Sequence, residues 1–193
     1  MIAITDYGAG NLKSVKNTLD YLNVESIITN RANEILQADR LILPGDGSFG
    51  YMMRNLKKLN LVNPIKNFIE QGKSFLGICL GLQGLFETSE ESSDTEGLSI
   101  FRGKVVKFRK GKIRQIGWNK IIATNNNIFK NEYMYFVNSY YVVPDDSSII
   151  AATTDYYGKF VSAIQFNNVT AMQFHPEKSG KEGIELIKRW LKS

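Results

Sequence analysis

Cysteine and histidine are nearly missing from this chain: its 193 residues contain one of each. One cysteine excludes an internal disulfide, and a single Cys with a single His leaves no ligand set for a structural zinc. No metal and no cofactor are expected. No apolar run reaches the roughly 18 residues that a membrane-spanning helix needs. Residues 1–6 carry neither a basic leader nor a small-residue cleavage site, and the reducing cytoplasm is the expected location. Repeats, low-complexity tracts and linkers are absent too, so residues 1–193 are read as a single domain, long enough to bury a substantial core. Charge of one sign is not concentrated: 24 Lys and Arg against 19 Asp and Glu give a net charge of +5. The densest basic cluster, 102–114, alternates with apolar residues as a solvated strand face does, and neither nucleic acid nor membrane is an expected partner.

The two rare residues sit in segments suited to reactivity. Cys79 lies in Gly77-Ile78-Cys79-Leu80-Gly81, between an apolar run and a helical pattern, which is a strand-to-helix elbow with a cysteine nucleophile. A cysteine in an apolar strand is most often a small buried hydrophobe. Glycines on both sides point instead to a sharp turn that presents the sulfur at a helix start, where N–H groups and the helix dipole favour thiolate. His175 ends an apolar segment and precedes Pro176, which holds it extended. Glu177 can then curl back to the second imidazole nitrogen and fix the tautomer, as the acid of a triad does. Cys79, His175 and Glu177 are the candidate catalytic triad.

Periodicity gives the frame. Strands are expected at Ile2–Thr5, Ser26–Thr29, Arg40–Leu43 and Ser74–Ile78, and helices at 11–22, Phe49–Lys58 and 63–71 with Pro64 in the first turn. From about residue 98 β-branched and aromatic runs predict strands at 105–108, 133–143, 148–153 and 160–166, several of them antiparallel, before an amphipathic helix at 183–191. The expected fold is α/β: a mainly parallel central sheet flanked by helices, flavodoxin-like, with additional antiparallel strands in the C-terminal half. Ligands gather beyond the carboxyl ends of such strands. The glycine-bearing segments 7–11 and 44–50 and the elbow all fall there.

Gly-Ile-Cys-Leu-Gly-Leu-Gln at 77–83 with His175-Pro176-Glu177 resembles the class I, triad-type glutamine amidotransferases. More narrowly, Asp6-Tyr7-Gly8-Ala9-Gly10-Asn11-Leu12, the Leu43-Pro44-Gly45 and Gly47-Ser48-Phe49-Gly50 segments, Gly117-Trp118-Asn119 and His175-Pro176-Glu177-Lys178-Ser179 are similar to the glutaminase subunits of imidazole glycerol phosphate synthases, end to end. The resemblance implies that Cys79 attacks the side-chain amide of L-glutamine to give a thioester and ammonia, with His175 moving the proton and Glu177 orienting it. It implies an oxyanion hole from Leu80 N–H and the Asp46-Gly47 strand, completed by movement of that strand. Gln83, Glu91, Ser139 and Tyr140 match positions that hold the amino-acid end of the substrate. Asn11, Trp118 and Tyr135 match the junction with a (β/α)8 barrel cyclase, which receives ammonia through an internal channel for histidine biosynthesis.

Three positions depart from that pattern: Gln115 and Asn138 stand where histidine is common, and Asp46 where an apolar residue is usual. They leave open a relative that feeds another synthase, such as a sugar amidotransferase for surface glycans, or a freestanding cysteine amide hydrolase. A binding protein that kept the fold is disfavoured by the intact triad.

Overall fold

The computed structural model describes residues 1–124 and 127–193. The first half alternates strand and helix: β1 (Ile2–Thr5), α1 (Leu12–Tyr21), β2 (Ser26–Thr29), α2 (Ala32–Gln37), β3 (Arg40–Leu43), α3 (Phe49–Lys58), α4 (Val62–Glu70) and β4 (Ser74–Ile78). A short helix, α5 (Leu80–Gln83), follows. The chain is then mostly extended: β5 (Thr88–Ser89), β6 (Gly103–Lys107), β7 (Gln115–Ala123), β8 (Tyr133–Asn138), β9 (Tyr140–Pro144), β10 (Ile150–Asp155), β11 (Lys159–Phe166) and β12 (Val169–Met172), before α6 (Gly180–Leu191).

In the sheet the strands lie in the order β2-β1-β3-β4-β12-β11-β10-β7-β8. The neighbours from β2 to β12 pair in parallel, and those from β12 to β8 antiparallel. β9 joins β11 and carries β6, which in turn pairs β5.

Both faces of the parallel part are covered, which is why its strands read as continuous apolar runs. Alternate residues serve opposite layers. Ala3, Leu41, Leu43 and Phe75 face Met52 and Leu56 of α3 and Ile65 and Phe68 of α4. Ile2, Ile4, Ile42, Leu76 and Ile78 join Val15 and Leu19 of α1 and Leu186, Ile187 and Trp190 of α6. Each such fully buried large side chain contributes about 1.5–3 kcal/mol. Ser48 caps α3 by accepting the Tyr51 N–H, and Lys57 and Lys58 complement its last turn.

The expected α/β class stands, with the antiparallel strands in the C-terminal half. The differences are local. α2 was not expected, nor was β7 as a strand. The expected strand 133–143 is two strands interrupted at Ser139. Only Gly103–Lys107 of the basic cluster is strand, and 108–114 is an irregular loop. Among the described residues no helix is long and apolar enough to cross a membrane, and no group of His, Cys, Asp and Glu side chains is arranged to hold a metal ion.

Candidate active site

Cys79 follows β4 directly, and its N–H donates to Met172 O at 2.7 Å, tying the bend to β12. The residue sits at φ 55°, ψ −105°, a conformation that an L side chain adopts only when its surroundings impose it. Two glycines make room for the bend. A Cβ on Gly81 would lie 1.9 Å from Leu43 O, and one on Gly45 would lie 2.4 Å from Leu80 Cβ. The end of β3 therefore rests against the elbow.

The helix after the elbow is shorter than expected. Gly84 O and Leu85 O are taken by Leu98 N–H and by Ile100 and Phe101 N–H, at 2.7, 2.9 and 3.0 Å, so α5 stops after one turn. So short a helix has little macrodipole, and the expected dipole assistance to the sulfur is replaced by local donors. Leu80 N–H, first in α5, has no acceptor among the described residues. Gln173 Nε2 lies 3.5 Å from Cys79 Sγ, and Val137 O lies 3.9 Å from it.

His175 is extended at φ −103°, ψ 96°, and Glu177 curls back so that its Oε1 lies 2.8 Å from Nδ1. Both side chains are buried, at 3% and 1% exposure. Burial pulls the imidazolium down. The negative charge and hydrogen bond of Cys79, followed by those of Glu177, outweigh it and push His175 up to about 10. With Nδ1 committed to the carboxylate, the other ring nitrogen is the one that serves the sulfur. The backbone here is also clamped. His175 N–H donates to Tyr135 O at 2.9 Å, Tyr135 N–H donates to Ser179 Oγ at 2.9 Å, and that hydroxyl donates to His175 O at 2.6 Å.

In front of the sulfur is a cavity of about 250 Å³, lined by Cys79, Leu80, Asp46 and Gly47 together with Gln83, Glu91, Ser139 and Tyr140. Every residue expected to hold substrate is thus on its wall. Gln83 Nε2 donates to Tyr140 O at 3.2 Å and to Gln173 Oε1 at 3.0 Å. Glu91 Oε2 accepts the Phe49 N–H at 2.7 Å. The segment expected to complete an oxyanion hole is engaged elsewhere: Gly47 N–H donates to Asp46 Oδ1 at 2.9 Å, and Asp46 N–H to the hydroxyl of Tyr7 at 3.3 Å. Burial pushes that phenol up and keeps it neutral.

The other departures fall in the same neighbourhood. Gln115 and Asn138 are directly opposed in the β7–β8 pair, and Asn138 lines the cavity. Both amide atoms of Gln115, and Asn138 Oδ1, are buried without a partner among the described residues. Trp118 and Tyr135 are also opposed, their rings edge to face with centroids 6.0 Å apart. Trp118 is 55% exposed. Asn11 precedes α1 and accepts the Ser14 hydroxyl, and α1 packs with β8 on the 176–178 turn. Sequence reasoning missed Gln173, whose signal was a lone amide in an otherwise buried strand end, and Arg114, which also lines the cavity.

The sequence model of the glutamine amidotransferase class-I family matches residues 3–193. The chain is 45% identical over 194 residues to the imidazole glycerol phosphate synthase subunit HisH of Aquifex aeolicus (97% of this chain, 94% of that protein). It is 46% identical over 199 residues to the subunit of the same name from Pyrococcus furiosus (98% and 97%). Among solved structures, a glutamine amidotransferase superposes with a TM-score of 0.79 at 16% identity, covering 100% of this chain and 98% of the other. PurLQS from Thermotoga maritima gives 0.77 at 18%, covering 99% and 97%. These two matches speak to the fold.

Proposed function

The chain belongs to the class-I glutamine amidotransferase family, and on that footing we propose that Cys79, His175 and Glu177 are the catalytic residues of a glutaminase that occupies residues 1–193 as one domain. The protein is the glutaminase subunit of an imidazole glycerol phosphate synthase, as its relatives are. It hydrolyses L-glutamine to glutamate and ammonia.

The observation that carries the residue assignment is the buried line from sulfur through imidazole to Glu177, opening on a cavity sized for one amino acid. The Cys79 thiolate attacks the side-chain amide carbon, and the carbonyl oxygen takes the negative charge against Leu80 N–H. Gly47 N–H supplies the second donor once it leaves Asp46. His175, held as imidazolium, gives its proton to the amide nitrogen. The C–N bond breaks, ammonia departs and a thioester remains. Neutral His175 then takes a proton from water, the hydroxide attacks the thioester, and glutamate leaves with the thiolate restored. Gln83, Glu91, Ser139 and Tyr140 hold the amino-acid end.

The partner subunit is a (β/α)8 barrel cyclase that consumes the ammonia. The docking face is the outer side of the β7–β8 hairpin, where Ile116, Trp118 and Tyr133 are 61%, 55% and 58% exposed, together with Tyr135 and Asn11. Ammonia is useful to an acceptor only unprotonated, and a sealed joint keeps it so. A cytoplasmic setting suits the free thiol. The test is Cys79→Ala in the two-subunit complex: glutamine-dependent product formation is expected to vanish while turnover with ammonium salts persists. Loss of both would refute the division of labour.

A further inference from the structure

One side chain in contact with the sulfur has no role in the chemistry above. Gln173 follows β12, and the sheet sets its place beside Cys79. Met172 pairs with Ile78 in parallel register, Cys79 N–H donates to Met172 O at 2.7 Å, and Gln173 N–H donates to Ser162 O at 2.9 Å. The residue is fully buried, so its amide has to find partners inside the protein. It has two: its Oε1 lies 3.0 Å from Gln83 Nε2, and its Nε2 lies 3.5 Å from Cys79 Sγ.

Which end of that amide faces the sulfur is decided by an atom that can only accept. Tyr140 O, a backbone carbonyl, takes Gln83 Nε2 at 3.2 Å and Asn138 Nδ2 at 3.0 Å. The Gln83 nitrogen is a donor with two hydrogens, so the Gln173 atom it also meets has to be the oxygen, and the Gln173 nitrogen goes to Cys79. A reversed Gln173 would set two NH2 groups against each other and an oxygen against the sulfur. Gln83 is itself fixed one turn beyond the elbow, its N–H donating to Cys79 O at 3.2 Å. An ordered line of donors thus runs from Tyr140 O through Gln83 and Gln173 to Sγ.

A donor beside sulfur favours the thiolate, which can only accept, over the thiol. Val137 O, an acceptor, works the other way from a greater distance, 3.9 Å. We propose that Gln173 donates to Cys79 Sγ to hold it in its nucleophilic form, and that Gln83 is a positioning residue that acts on the sulfur through Gln173. The inference rests on the reading of Cys79 as the nucleophile and gives Gln83 a task that needs no substrate.

The test is alkylation of the full chain by iodoacetamide, read by mass spectrometry across pH. The single cysteine makes the label specific, and no glutamine is present. Gln173→Met keeps the length and removes the donor. It is expected to move the rate–pH profile about one pH unit higher, about tenfold in rate below the midpoint. Gln83→Met leaves the donor but not its hold, and should move the profile in the same direction by less. The double variant should match Gln173→Met alone, because the two residues act in series. A Gln173→Met profile that is slower but unmoved along the pH axis overturns the donor role. An unmoved profile in Gln83→Met, or additive shifts in the double variant, overturns the line from Gln83 to the sulfur. The glutaminase reading fails separately, by a wild-type complex that releases no ammonia from glutamine.

Discussion

Asp46→Ala is expected to make the isolated chain a faster glutaminase. In the structure the Gly47 N–H, the proposed second oxyanion donor, is spent on the carboxylate of its neighbour at 2.9 Å, while Leu80 N–H has no acceptor among the described residues. One oxyanion donor contributes about 10²–10³ in kcat when in place, so the fraction of molecules with Gly47 N–H available sets the rate. The competing bond is solvent-exposed, which puts its net strength at the low end for hydrogen bonds, about 1 kcal/mol, or about fivefold in that fraction. Removing the side chain also removes a negative charge from the wall on which the oxyanion develops. Glutamate release by the isolated Asp46→Ala chain should therefore show kcat raised about fivefold at unchanged KM. Asp46→Asn keeps an acceptor and should gain less. In the two-subunit complex, where docking is expected to turn the strand, the gain should vanish. An unchanged kcat in the isolated Asp46→Ala chain would refute the reasoning, because the N–H would then not be limiting.

Glu177→Gln should lower kcat by about 100-fold, less than an acid substitution in a triad often costs, because the Tyr135 and Ser179 hydrogen bonds still hold the His175 backbone. The same exchange tests the proton inventory. His175 is raised from 6.5 to about 10, so the stability from its charged form is complete below pH 6.5 and lost as pH rises through 10. Wild-type kcat/KM should fall only toward pH 10, and the alkaline limb should move to lower pH in Glu177→Gln; a limb that stays in place would exclude His175 as its origin. Gly81→Ala puts a methyl 1.9 Å from a carbonyl oxygen fixed in β3. It should cost about 3 kcal/mol and lower the melting midpoint by about 6–12 °C in calorimetry, and an unaltered midpoint would show that the elbow can yield.

The meeting of Cys79, His175 and Glu177 was legible because the proposed triad leaves local traces: glycines around a bend, a proline after the histidine, a carboxylate two positions on. β1, β3 and β4 were legible to the residue because they are buried on both faces. Other features are decided at a distance. α2 is six residues long and buries only Ile35, too little for a periodic signal. In β7 the core-facing side carries Gln115, Gly117 and Asn119, so its alternation is not one of apolar against polar residues. α5 ends where it does because a segment more than ten residues later claims the carbonyls of Gly84 and Leu85, just past its end. Arg114 belongs to a run that reads as a solvated face, and only the course of the chain into β7 brings its last member to the border of the cavity. The wall residues Gln83, Glu91, Ser139 and Tyr140 came from the family resemblance, with no local pattern of their own.

The clamp on His175 leaves no partition between inside and outside. Tyr135 packs its ring against exposed Trp118 while its own amide and carbonyl grip the loop that carries the imidazole. A neighbour leaning on the outer surface and the proposed proton-moving machinery would thus share a single residue, and pressure on one side would be displacement on the other.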